Sequence, residues 1–123
     1  MALKSSFQVL GMPSVTALLV AQQRKVTTGI KDSMRDAKLL LETEAEASIK
    51  GQRAEHRSVD TGEFVRSVDS QITKNSVTIV SQVPQARIME FGTSTLTPRR
   101  HFGNTMARNK GNLIKIVEDN ITL

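Results

Sequence analysis

The spacing of apolar residues changes period twice along this chain. Phe7, Val9 and Leu10 lie within Ser5 to Gly11, and Gly11-Met12-Pro13 then stops the run, which predicts an extended arm or edge strand over residues 1–13. From Ser14 onward Val15, Leu18, Leu19, Val26, Ile30, Met34, Ala37, Leu41, Ala45 and Ile49 fall mostly three or four apart. That stripe predicts an amphipathic helix over 14–50, with Ser14 as its N-cap and Gly51 as its stop. A helix of this span is about 50 Å long, more than the width of so small a domain. It therefore either breaks near Thr27-Thr28-Gly29 or projects onto a neighbouring copy.

Gln52 to Asp60 is almost free of apolar residues and reads as an exposed loop. Beyond it Phe64, Val65, Val68 and Ile72, a Lys74-Asn75-Ser76 turn, and the alternation of Val77, Ile79 and Ser81 fit two strands joined by a tight turn. Residues 51–98 are thus expected to hold sheet and loops. Phe102, Met106, Leu113, Ile116 or Val117, and Ile121 form a second helical stripe over 99–123, weakened by Gly103 and Gly111. The order of elements predicts one α+β domain, with a long N-terminal helix, a small antiparallel sheet containing a hairpin, and a C-terminal helix.

Composition adds a constraint on stability. The chain has 123 residues, 38% hydrophobic but only 3% aromatic, with four Phe and no Trp or Tyr. A core this thin leaves a lone subunit marginal and favours further burial against other copies. No cysteine is present, so disulfides, thiolate metal sites and thiol nucleophiles are excluded. The apolar run Val15 to Ala21 after Lys4 is too short to span a bilayer and continues the helical pattern, so it reads as a helix start and no membrane partner is expected.

The net charge of +5 attracts polyanions, and its distribution is uneven: Glu42, Glu44 and Glu46 are grouped, as are Arg99, Arg100, Arg108 and Lys110. One reading gives the subunit an acidic end and a basic end, a polarity suited to head-to-tail contacts between copies, and the arginines could also contact phosphate; the other leaves both clusters as solvated surfaces. Two histidines, His56 and His101, show no metal-ligand spacing, and no phosphate loop, dinucleotide fingerprint or nucleophile elbow occurs. Asp60, Glu63 and Asp69 flank a turn and read as solvent-facing. No enzymatic activity and no cofactor are expected. Single-strand recognition is disfavoured, since no interleaved aromatic platform is present.

Four blocks in the second half carry more information together than singly. Val59-Asp60-Thr61-Gly62, Phe64-Val65-Arg66-Ser67-Val68, Ile88-Met89-Glu90-Phe91-Gly92-Thr93 and Pro98-Arg99-Arg100-His101-Phe102 occur in that order. The set resembles the neck or head-tail joining (tail-completion) family of long-tailed bacteriophages, the tail component encoded by gene ten of lambdoid phages. The chain departs from the family pattern in three places: Gln85 replaces a tyrosine before Ala86, His101 replaces a proline before Phe102, and the residues after Phe102 lack the family's common leucine and proline.

The resemblance implies a virion protein of the neck or tail top, made in the host cytoplasm. It implies a homo-oligomeric ring around the genome channel, with a hexamer as the expected copy number. Other neck, connector or tail-tube proteins would be its partners, and contact with genomic DNA would be nonspecific. A small basic nonspecific DNA-binding protein is the alternative. Asp60, Thr61, Gly62, Glu90, Phe91, Gly92, Thr93 and Phe102 are then the fold or assembly signature. In physical terms Asp60-Thr61-Gly62 is turn chemistry, Phe91 is expected as a ring buried between sheet and helix, and Gly92 as a positive-φ turn.

Overall fold

A computed structural model describes residues 3–8 and 23–121. The predicted arm residues 9–13, the Ser14 cap and the first turns of the predicted long helix, 14–22, lie outside the described residues. Among those described, the elements are β1 (Leu3–Gln8), α1 (Gln23–Ile49), α2 (Glu63–Ser67), β2 (Asp69–Ile72), β3 (Ser76–Ser81), α3 (Pro84–Phe91), α4 (His101–Arg108) and α5 (Lys110–Asn120). The fold is α+β, as the change of period indicates.

Helix α1 runs unbroken for 27 residues, about 40 Å. It does not break at Gly29, because that glycine is where the end of α5 comes closest: a Cβ there would collide with the Asn120 carbonyl and, at 2.8 Å, with Ile121 Cγ1. Missing side-chain volume is thus used for helix contact. Ser33 reinforces the turn by donating to the Gly29 carbonyl at 2.7 Å. Gly51 stops the helix as its spacing foretold. With φ of 81° it lets its own amide reach the Ser48 carbonyl at 3.1 Å, while the Gln52 amide reaches Ala47 at 2.9 Å. This pair of bonds satisfies two of the carbonyls a helix end leaves open.

The sheet order is β1-β3-β2, antiparallel throughout, with Leu3 opposite Ser81 and Ile72 opposite Val77. Buried Val77 and Ile79 alternate on the face that meets Met34, Ala37, Leu41, Ala45 and Ile49 of α1. Leu3, Phe64, Ala86, Phe102 and Leu113 complete this core. Each fully buried leucine, isoleucine or phenylalanine contributes about 1.5–3 kcal/mol.

Three sequence expectations need correction. Residues 84–91, expected among sheet and loops, form the helix α3. The segment holding Phe64 and Val65 is the helix α2 and not a strand; Gly62, at φ 84°, turns the chain into it, so the hairpin begins only at Asp69. The C-terminal stripe is two helices, α4 and α5, divided at Asn109 and at neither glycine. Asn109 leaves helical geometry at φ −101° and ψ 7° and donates its side-chain amide to the Thr105 carbonyl at 2.9 Å.

Candidate functional site

The C-terminal end of α1, the loop 50–60, the end of α3 and the start of α4 meet in a polar seam. At its centre is His101, fully buried, with Phe64 edge-on to its ring at 5.9 Å between centroids. Its Nδ1 lies 2.7 Å from Ser48 Oγ and its Nε2 lies 2.6 Å from Ser58 Oγ. The neighbours fix the tautomer. Ser48 donates its only hydroxyl proton to Glu55 Oε1 at 2.6 Å, so it accepts from His101 Nδ1–H, leaving Nε2 to accept from Ser58. Arg99 Nη1 then donates to Ser58 Oγ at 2.9 Å and to the Arg57 carbonyl at 2.6 Å. Burial is the main cause that holds the imidazole down, to about 4; Glu55 opposes it and Arg99 adds to it.

Glu55 anchors the other end of the relay. It is buried and accepts from Ser48, from Asn104 Nδ2 at 3.1 Å, and from Arg108 Nη2 at 2.9 Å and Nη1 at 3.1 Å. Burial is the largest single influence and pushes its carboxyl up, but the hydrogen bonds from Arg108, Ser48 and Asn104 together outweigh it. The carboxyl is held at about 2.

A second clasp lies next to it. Glu90 of α3 is only 7% exposed and accepts from the amides of Phe102, at 2.9 Å, and Gly103, at 2.8 Å. It caps α4 from a different helix, satisfying two amides that the α4 N-terminus leaves open and favouring its positive end. Arg100, the N-cap residue itself, makes no side-chain cap bond. Between these elements Gly92 adopts φ 75° and ψ −178°, where a Cβ would meet Pro98 Cδ at 2.8 Å. Thr93 Oγ1 accepts from the Thr95 and Leu96 amides, and the Arg99 amide returns to the Met89 carbonyl at 2.7 Å.

Serine, histidine and carboxylate in series are the parts of a proton relay, yet Ser48, Ser58 and His101 are all buried and each polar atom is occupied by a neighbour. The arrangement is a cross-link of three chain segments. Among the described residues no group of three His, Asp or Glu is placed to hold a metal. A cleft of about 280 Å³ lies elsewhere, between α1 and the hairpin, lined by Thr27, Lys31, Met34, Ile72, Thr73 and Lys74. Met34 and Ser48 are fourteen residues apart on α1, about 21 Å along its axis. No family model, no curated protein and no solved structure matches the chain.

The structure divides the signature residues sharply. Glu90, Gly92, Thr93 and Phe102 come together in the clasp. Asp60 and Thr61 are exposed at the turn before α2, where Thr61 Oγ1 accepts from the Glu63 amide at 3.3 Å and Gly62 supplies the left-handed step. Phe91 is not a core anchor. Pro84 at the first helical position starts a helix that carries Ala86 and Glu90 inward and Arg87, Ile88 and Phe91 outward. The Phe91 ring is 60% exposed, with the Arg87 guanidinium 5.8 Å from its centroid.

The basic group divides too. Arg99 and Arg108 are tied into the seam, whereas Arg100 and Lys110 are exposed. Sequence reasoning missed Ser48, Glu55 and Ser58. Ser48 could have been found: it sits beside Ile49 on the buried face of α1, where an unpaired hydroxyl is costly and so calls for a polar partner.

Proposed function

We propose that this chain is a structural virion protein of a tailed bacteriophage, a neck or tail-completion subunit that assembles into a ring around the genome channel. The carrying observation is the division of labour within Ile88-Met89-Glu90-Phe91-Gly92-Thr93. Glu90 locks α3 to α4, while the adjacent Phe91 and Ile88 stand in solvent with Arg87. Aromatic, arginine and aliphatic side chains grouped on a rigid helix have the composition of a protein–protein hot spot. Leu39, 62% exposed on the outer face of α1, and Ile114 on α5 offer further apolar surface for a thin-cored subunit to bury against copies of itself.

The role is geometric: closed symmetric contacts set a channel, and the polar seam keeps each subunit stiff enough to hold the ring's angles. Neck, connector or tail-tube proteins are the partners, in the virion after assembly in the host cytoplasm. Among the described residues no helix is long and apolar enough to cross a membrane. Light scattering across a concentration series, with class averages of particles, tests this reading. A closed ring, with a hexamer expected, supports it; a strict monomer that still forms no ring when head and tail components are added removes it.

A further inference from the structure

The fold builds a cationic corner that linear spacing does not show. Loop 50–57 folds back on the end of α1: the Ser58 amide meets the Ile49 carbonyl at 2.7 Å, and Arg57 Cβ lies 2.8 Å from where a Gly51 side chain would start. Arg99 donates to the Arg57 carbonyl at 2.6 Å, and Arg100 follows it directly in the chain. Lys50, Arg57 and Arg100 are exposed, and none makes an ion pair among the described residues. Glu55 is occupied by Arg108 and Glu44 by Arg53, while Glu46, one helical turn before Lys50, and Asp60, three residues after Arg57, make no ion pair among the described residues. Arg99 itself is half-buried and braces the corner from beneath.

Arg100 adds an independent observation. It is the only non-glycine residue among those described with a positive φ, 51°. Glycine or asparagine takes that conformation at lower cost, and Arg100 makes no cap bond for α4 in return. The left-handed step lets the Arg99 and Arg100 amides both reach the Met89 carbonyl, at 2.7 and 3.3 Å, and leaves the Arg100 side chain exposed. A guanidinium matches phosphate geometry.

We infer that Lys50, Arg57 and Arg100 form a surface that binds the phosphates of duplex DNA. The inference deepens the ring reading, on which it rests only for taking the DNA to be the threaded genome; binding itself requires no ring. Duplex is favoured over single strands because, among the described side chains, Phe64 and Phe102 are buried and Phe91 is the one exposed ring, which gives no stacking series there. An acidic protein is the less suitable occupant, since the corner presents charge with no apolar anchor of the kind that fills an interface core.

The test compares two triple variants of equal charge change on a mixed-sequence 30-base-pair duplex, read by fluorescence anisotropy from low to high salt. The corner variant is Lys50→Gln, Arg57→Gln, Arg100→Asn; the control is Lys25→Gln, Lys31→Gln, Lys74→Gln. The corner variant is expected to lose at least tenfold in affinity at low salt. Its slope of log affinity against log salt should shrink by about 2 to 3, at about 0.9 per phosphate contact. The control should change less than twofold. Equal losses in both variants would reduce the effect to net charge and overturn the assignment. So would an unchanged slope with a lowered melting temperature, which would make these cations partners of the α1 end. Equally tight binding of polyglutamate, lost in the corner variant, would transfer the surface to a protein partner. Light scattering on the same samples reads ring formation separately, so a failed ring with intact corner-dependent binding sinks only the ring.

Discussion

Glu90 and Phe102 are joined across two helices by a 2.9 Å bond from the Phe102 amide to the Glu90 carboxylate, while the Phe102 ring is wholly buried beside Phe64. One carboxylate therefore fixes where α4 begins and, through it, where the largest core side chain enters. With Gly103 as its second donor, Glu90 does the work that a local cap residue does in most helices.

Replacing Glu90 is accordingly expected to cost stability. Glu90→Ala leaves two amides unpaired in a mostly buried place and should lose about 2 kcal/mol or more, given that charged hydrogen bonds contribute about 1.5–3 kcal/mol. Glu90→Gln keeps one acceptor oxygen and should lose less. Urea denaturation of the three proteins checks the order; an alanine variant as stable as the parent would show that α4 caps itself.

Acid should weaken the fold in two overlapping stages. His101 is depressed from 6.5 to about 4, so between those values the unfolded chain binds the proton first and stability falls as pH falls. Glu55 is depressed from 4.5 to about 2, so its contribution is complete above about 4.5 and is lost as pH drops toward 2. Each shift corresponds to on the order of 3 kcal/mol at about 1.4 kcal/mol per pH unit. Chemical denaturation from pH 7 to pH 3 should show the decline beginning near 6.5. In His101→Gln the upper stage should vanish; if it persists, another group is responsible.

The α1 stripe, the Gly51 stop, the hairpin and the α+β class were legible because burial there follows a simple period. The clasp was legible only in part. Glu90-Phe91-Gly92-Thr93 marks a determinant, but which of two adjacent residues faces inward depends on whether the segment is a helix, and helical geometry begun by Pro84 sends Glu90 in and Phe91 out. The seam was illegible because its partners stand up to 53 residues apart, as Ser48 and His101 do, and no local pattern records a tertiary hydrogen bond. The cationic corner was half visible: Arg99 and Arg100 stood out by sequence, whereas Lys50 and Arg57 joined them only through the folded loop.

Two glycines should respond in opposite directions. Gly92 holds φ 75° with ψ −178°, a region that side chains scarcely enter, and a Cβ there would press on Pro98 and the Leu96 carbonyl. Gly92→Ala is expected to lose about 1–3 kcal/mol in strain alone. Gly111 lies within α5 with open space around it, so Gly111→Ala should gain about 0.5–1 kcal/mol. Thermal melts of both variants suffice, and a stabilised Gly92→Ala would mean that the turn is not formed as described.

The last prediction concerns Phe91, because its exposure reverses what the sequence implies. A buried phenylalanine costs about 3–5 kcal/mol when cut to alanine, enough to unfold a small domain. With the ring 60% exposed and only Arg87 across its face, Phe91→Ala should instead remain within about 0.5 kcal/mol of the parent. Assembly should respond far more strongly, since aromatic anchors at interface centres contribute about 2 kcal/mol or more. The paired measurement is a thermal melt and light scattering on one preparation. An unchanged melt with the oligomer shifted to smaller species places the ring of Phe91 at a contact between copies. An unchanged melt with unchanged assembly leaves α3 outside that contact, and the proposed subunit must then close its ring through Leu39, Ile114 or surfaces beyond the described residues.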